Sequence, residues 1–266
     1  PEGRYLAFTS EASLTGYDNT NAEEEPTTEA FLFDAEAAAG SQLQCISCNP
    51  TGASAVGELL PERVQSFPPD RSGLWKERWV AATLPEASET QVFGRSLYRP
   101  HAVLDNGRAF FNSVDPLVPA DSNGNWDVYQ WEPLGVGSCT EETSAPAMVR
   151  SGAGCVGLLS SGTSAGDAGF LDATPSGEDA FFLTEGRLSV LDKDDALDAY
   201  DARVNGIEAV LHPPRECAGE ACQPGGGGGG GPPPAPPPAP ARAPPPPAPR
   251  RRPPPARPRA ARRRAR

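Results

Sequence analysis

The stretch LDNGRAFFNS, residues 104–113, decides the fold: a turn at Asn106 and Gly107, one basic residue, then the run Ala109-Phe110-Phe111. The same pattern opens the chain as PEGRYLAFTS (1–10) and returns as TPSGEDAFFLT (174–184). Glycine supplies the positive φ that such a turn needs, and aromatic side chains favour the pleated strand after it. A second element follows downstream, as DSNGNWDVYQW (121–131), DKDDALDAYDA (192–202) and, more weakly, EAFLFDA (29–35). A third pairs CISCNPTGASAVG (45–57) with GLLSSGTSAGDAG (157–169). Gly107 precedes Tyr129 by 22 residues and Gly177 precedes Tyr200 by 23, so spacing repeats along with composition. Repetition of this kind identifies an architecture better than any single motif.

Helical periodicity is scarce. Short runs bounded by Gly, Pro, Asn or Asp dominate, among them 43–47, 127–131, 155–159 and 180–183. That pattern predicts an all-β sandwich, barrel or propeller, and the internal repeats favour the propeller.

Gly3-Arg4-Tyr5-Leu6-Ala7-Phe8 and Asn123-Gly124-Asn125-Trp126-Asp127-Val128-Tyr129 resemble the TolB-like, WD40-like β-propeller repeats of bacterial envelope and secreted proteins. In that family an S-x-D-G-R turn leads into a Y-V-A-F strand, and an Asn/Gly loop into a D-V-Y or D-V-F strand. The resemblance spans residues 1–206 and implies about three blades, with an irregular insertion at about 58–93. Gly107 and Gly177 stand 70 residues apart, more than the roughly 40–50 residues of common blades. The excess fits a loop at 135–154. Propellers close with about 4–8 blades, so the expectation is a partial propeller whose remaining blades belong to a longer chain or a second one, truncation being the simpler account.

Charge is distributed unevenly. Residues 224–266 hold ten Arg and no acid, +10, whereas the other 223 residues carry 35 acids against 13 basic residues, −22. The acidic body should repel nucleic acid. The tail has seven consecutive Gly and then Pro, Ala and Arg only, a composition that buries no core and is expected to stay disordered. Extended at about 3.1 Å per residue, its last 35 or so residues reach on the order of 100 Å. Three readings stand: a wall-spanning spacer, a segment that contacts anionic surfaces, and a reading-frame artefact of a GC-rich gene. No run approaches the roughly 20 apolar residues of a membrane span. The start Pro1-Glu2-Gly3 has neither an initiator Met nor a signal peptide, as a mature product or fragment would.

Six cysteines form an even set, which in an extracellular setting favours disulfides. Neighbours in sequence suggest Cys139 with Cys155, and Cys217 with Cys222 in a linker at 207–223. Cys45 and Cys48 are the remaining pair, and strand alternation stands against it, because residues three apart in a strand point to opposite faces. A redox or zinc role for Cys45-x-x-Cys48 would need a βαβ setting or a second pair at matching spacing.

Gly162-Thr163-Ser164-Ala165-Gly166 matches the nucleophile elbow G-x-S-x-G, and Asp198 and His212 follow in the order of an α/β-hydrolase. The motif requires a strand–turn–helix context; the following DAGFLDATPSG is not helical, so no catalytic residue is assigned. His101 and His212 are the only histidines, too few for a His₃ zinc site. His101, just before a repeat turn, reads as a loop or strand-edge residue. Trp75 and Trp79 read as aromatic packing on the body, with glycan stacking as the alternative.

The acidic loops carry more chemistry. Asp121, Asn123, Asn125 and Asp127 place oxygen side chains at alternate positions, as Ca²⁺ ligation asks. Asp192, Asp194, Asp195 and Asp198 are similar, as are Asp18 and Asn21. The plainer reading is inter-strand turns, which Asn, Asp and Gly favour through bonds to nearby backbone. The functional expectation is a non-enzymatic extracellular or cell-envelope scaffold that binds a protein or glycan partner. The alternatives are the propeller domain of a larger hydrolase and a Ca²⁺-stabilised structural surface protein.

Overall fold

The computed structural model describes residues 3–60, 75–85, 88–90, 95–98, 100–189 and 192–203. The chain divides into two units, 1–213 and 214–266, and every described residue lies in the first. The expected linker (207–223), the tail (224–266), Cys217, Cys222 and His212 therefore lie outside the described residues, as do 61–74 within the expected insertion.

Among the described residues all regular structure is β, in several antiparallel sheets of which none closes on itself. The first sheet contains β1 (Tyr5–Ser10), β2 (Thr27–Asp34), β3 (Leu43–Cys45), β4 (Glu58–Leu59) and β5 (Trp79–Val80). β1 and β3 flank the later part of β2 in antiparallel pairing, while β5 joins its start in parallel through Thr27 and Thr28. The second sheet begins with β6 (Ala82–Thr83). A separate hairpin, β7 (Ser88–Thr90) and β8 (Arg95–Tyr98), then intervenes before β9 (Ala109–Ser113), β10 (Asp127–Pro133), β11 (Ser144–Ala145), β12 (Met148–Ser151) and β13 (Gly154–Leu158). Its strand order is β11-β12-β13-β10-β9-β6. The third sheet is β14 (Ala168–Ala173), β15 (Asp179–Thr184) and β16 (Asp198–Arg203).

The sequence repeats become a structural repeat. Phe8 stacks on Phe31, Phe111 on Tyr129 and Phe182 on Tyr200, with ring centroids 5.6, 5.7 and 6.0 Å apart. Each pair sits directly across the ladder joining a turn strand to its successor. Two residues beyond the first aromatic of each pair, a hydroxyl caps the strand. Ser10, Ser113 and Thr184 accept from the amides of Ala12, Asp115 and Gly186 at 3.0, 3.0 and 2.9 Å. The turn glycines Gly3, Gly107 and Gly177 have φ of 73°, 84° and 74°, a region costly for residues with a Cβ.

The central strands β9 and β10 of the second sheet are buried on both faces. Phe111, Tyr129, Trp131 and Val156 pack with Ala30, Leu32 and Ile46 of the first sheet, whereas Phe110 and Val128 pack with Ala168, Phe170, Ala180 and Phe182 of the third. Neighbouring side chains in a strand point to opposite faces, so the consecutive aromatics of β9 serve two cores. A third cluster, Leu60, Val80, Val114 and Trp126, has Trp75 packed against it.

Candidate functional site

The acidic loops sit at equivalent places in two repeats. In the second sheet the Tyr129 hydroxyl donates to Asp121, eight residues earlier, and accepts from the Leu117 amide at 3.3 Å. In the third sheet the Tyr200 hydroxyl donates to Asp192 at 2.7 Å and accepts from the Leu188 amide at 3.3 Å. The spacings of eight and twelve residues are the same in both. Asp121, Asn123 and Asp127 thus correspond to Asp192, Asp194 and Asp198, and Asn125 to Ala196.

Within the first loop the four oxygen-bearing side chains have distinct partners. Asp121 is 6 % exposed and Asp127 1 %. Asp127 accepts through Oδ1 from the Ser160 hydroxyl and, at 3.3 Å, from the Gly162 amide, while its Oδ2 has no hydrogen-bond partner. Asp121 gives Oδ2 to Tyr129 and leaves Oδ1 without a partner. Asn123 accepts from the Asn125 amide at 2.9 Å, a turn-forming bond, and Asn125 turns away to donate to the Ser164 carbonyl at 2.9 Å. Burial, followed by the charge of Asp127, pushes the Asp121 carboxyl up to about 6 against the opposing bond from Tyr129. The loop at Asp18–Asn21 does pure turn work: Asp18 accepts from Thr20, and Asn21 from the amides of Glu23 and Glu25.

A second feature recurs that sequence reading did not find. Ser47 donates to the Glu29 carboxylate and accepts from the Ala30 amide at 2.8 Å. Ser160 donates to Asp127 and accepts from the Val128 amide at 2.9 Å. The backbone bonds Ile46 N–H to Ala30 carbonyl and Leu159 N–H to Val128 carbonyl fix the same match, both 2.9 and 2.8 Å. This shifts the third repeat by one residue: Ile46 aligns with Leu159, not with Leu158 as the sequences suggested. Strand pairing, rather than the shared Gly and Ser content, sets the register. Glu29, 1 % exposed, is pushed up to about 8, chiefly by burial, against the opposing bond from Ser47. One of its oxygens has no partner, and its carboxylate lies within 4.8 Å of the sulfurs of Cys45 and Cys48.

Cys139 and Cys155 stand at disulfide distance with Cα atoms 5.6 Å apart, both buried, clipping the segment that carries β11 and β12 to β13. Cys45 and Cys48 do so as well, at 5.5 Å. The strand-alternation objection to that pair fails because β3 ends at Cys45 and the chain turns before Cys48, whose amide donates to the Cys45 sulfur. Both pairs fit a compartment outside the reducing cytoplasm.

The G-x-S-x-G stretch runs into strand β14, with Ser164 accepting from the Gly166 amide at 3.2 Å. His101 is exposed and contacts Asp172 through both its amide and its ring, at 2.8 and 2.9 Å. Trp126 donates its indole N–H to Glu58. An open cleft of about 540 Å³ lies beside β11–β13, lined by Ser138, Thr143, Met148 and Leu158 among others. Among the described residues no helix is long and apolar enough to cross a membrane. Comparison with protein families, curated proteins and solved structures gives no match.

Proposed function

We propose that the chain is a non-enzymatic binding scaffold of extracellular or cell-envelope type, its three sheets being blades of a TolB-like β-propeller that presents a surface to a protein or glycan partner. The observation that carries this reading is the repeated link from one sheet to the next. Ala81, preceding β6, donates its amide to the Thr28 carbonyl of β2, and Ala168, opening β14, donates to the Trp126 carbonyl before β10. A segment that opens each unit by bonding back to the start of a strand in the unit before it fits successive blades repeated around an axis. The turn Gly, stacked aromatics and hydroxyl cap that recur in all three repeats support the same reading. The two cysteine pairs support the compartment, and the Arg-rich tail is read as contacting anionic surfaces.

The test uses the full chain against defined cell-wall glycans and purified envelope proteins, with ester and peptide substrates in parallel. Saturable binding without turnover is the expected result. Substrate turnover that disappears in Ser164→Ala would overturn the reading in favour of a hydrolase.

A further inference from the structure

We propose that the loop Asp121–Asp127 binds a hard divalent cation of the Ca²⁺ class through Asp121, Asn123 and Asp127, and that Asp192, Asp194 and Asp198 form a second copy of the same site. The inference rests on side-chain positions and does not depend on the propeller reading. In the second copy one carboxylate oxygen from each of the three aspartates lies within 4.8 Å of the other two. An ion about 2.4 Å from each oxygen is accommodated by that spacing.

The first copy supplies an independent observation. Asp121 and Asp127 are both more than nine-tenths buried, and each keeps one oxygen without a full hydrogen bond, the Asn123 amide adding only a weaker contact to the Asp121 carboxylate. Their other oxygens are occupied by Tyr129, Ser160 and Gly162, so the free oxygens are held in place by their own carboxylates. Gly162 draws the two together: its amide donates to Asp127, its carbonyl accepts from the Ser122 amide at 2.8 Å, and a Cβ placed on it would lie 2.7 Å from the Asp121 Cα. Neither carboxylate has an ion-pair partner among the described residues. Buried carboxylate oxygens without a donor or cation are strongly disfavoured. A cation held between the two carboxylates would satisfy both.

The ligand set is oxygen only, which selects Ca²⁺ over thiophilic or imidazole-preferring metals. Three side chains per loop leave the remaining positions to backbone carbonyls and water. Such sparse sites hold Ca²⁺ at roughly 10⁻⁴–10⁻³ M, the range of extracellular modules. Asn125 is the weaker candidate because its counterpart Ala196 has no oxygen side chain and its Nδ2 is held by the Ser164 carbonyl. Asn123 Oδ1 already accepts from the Asn125 amide, so it contributes a shared oxygen, and its buried Nδ2 must stay turned from the ion.

The experiment is titration of the full chain with Ca²⁺ by calorimetry, together with Tb³⁺ luminescence excited through Trp126, which adjoins Asp127. Two ions per chain are expected, with a higher melting temperature in Ca²⁺ than in chelator. Asp194→Ala alters an exposed side chain and should leave folding intact while reducing the stoichiometry to one. Asp121→Asn should weaken binding at the remaining loop at least tenfold and extinguish the Trp126-sensitised Tb³⁺ signal. No heat of binding and identical melting in Ca²⁺ and chelator would overturn the proposal. So would a stoichiometry unchanged in Asp194→Ala and a Tb³⁺ signal unchanged in Asp121→Asn, which would place the ions elsewhere.

Discussion

Arg108 forms an ion pair with Glu132 in the interior of the second sheet, the two side chains 3 % and 0 % exposed. The same guanidinium donates to the Gly177 carbonyl in the turn of the third sheet, and Glu132 also accepts from the Ser138 amide at 2.8 Å. One buried pair therefore ties the turn of one repeat to the strand of another. Desolvation makes such a pair a weak source of net stability, yet removal of one partner leaves the other charged and buried. Arg108→Met is expected to destabilise by about 3–5 kcal/mol, and the double change with Glu132→Gln by clearly less than the sum of the single ones. Urea unfolding of the double-mutant cycle measures this, and additive losses would show that the two side chains act separately.

Gly177 and Gly3 share a φ near 74° but not their surroundings. A Cβ on Gly177 would lie 2.6 Å from Leu104 Cδ1 and 2.9 Å from Arg108 Cδ, while one on Gly3 would meet nothing within 4 Å. Gly3→Ala should cost only the left-handed backbone penalty of about 1–2 kcal/mol. Gly177→Ala should cost more, because backbone strain and displacement of the buried Arg108 add. Equal melting temperatures for the two variants would contradict this ordering.

The Cys139–Cys155 bond closes a loop with a sequence separation of 16. In the chain-entropy model it contributes about 3 kcal/mol, and the three-residue loop of Cys45–Cys48 about half as much. Replacing Cys139 and Cys155 by Ala should therefore lower the denaturation midpoint more than replacing Cys45 and Cys48. Peptide mapping without reductant should recover the peptide containing Cys139 linked to that containing Cys155.

Much of this was legible in the sequence because turn chemistry is local. Gly107 and Gly177 announce their turns, and Phe110-Phe111 and Phe181-Phe182 announce strands, so the all-β class and the repeat follow directly. What was not legible depends on partners distant in the chain. The match of Glu29–Ser47 with Asp127–Ser160 is hidden because the first pair is separated by 18 residues and the second by 33, the β11–β12 hairpin lying between. Arg108 and Glu132 look like surface charges until the Gly177 turn and the Gly137–Ser138 segment close over them. The parallel contact of β2 with β5 involves two residues on each strand and leaves no pattern to read.

Glu29 gives the pH prediction. Its carboxyl is pushed up to about 8, mainly by burial, and the Ser47 hydroxyl only partly offsets that. A carboxyl whose folded pKa is raised binds more protons folded than unfolded, so its contribution to stability is full below the unfolded value near 4.5 and is lost as pH rises through about 8. Wild-type protein is thus expected to lose stability between about pH 5 and pH 8, by an amount on the order of 2–4 kcal/mol from this group. Glu29→Gln cannot ionise and retains an oxygen for the Ser47 hydroxyl, so it should flatten the profile and be the more stable protein at pH 8. Melting temperatures of the two proteins across this range, in chelator to exclude metal effects, decide the matter. Parallel curves would mean that Glu29 is ionised throughout, stabilised by a partner that its buried, half-satisfied carboxylate does not display.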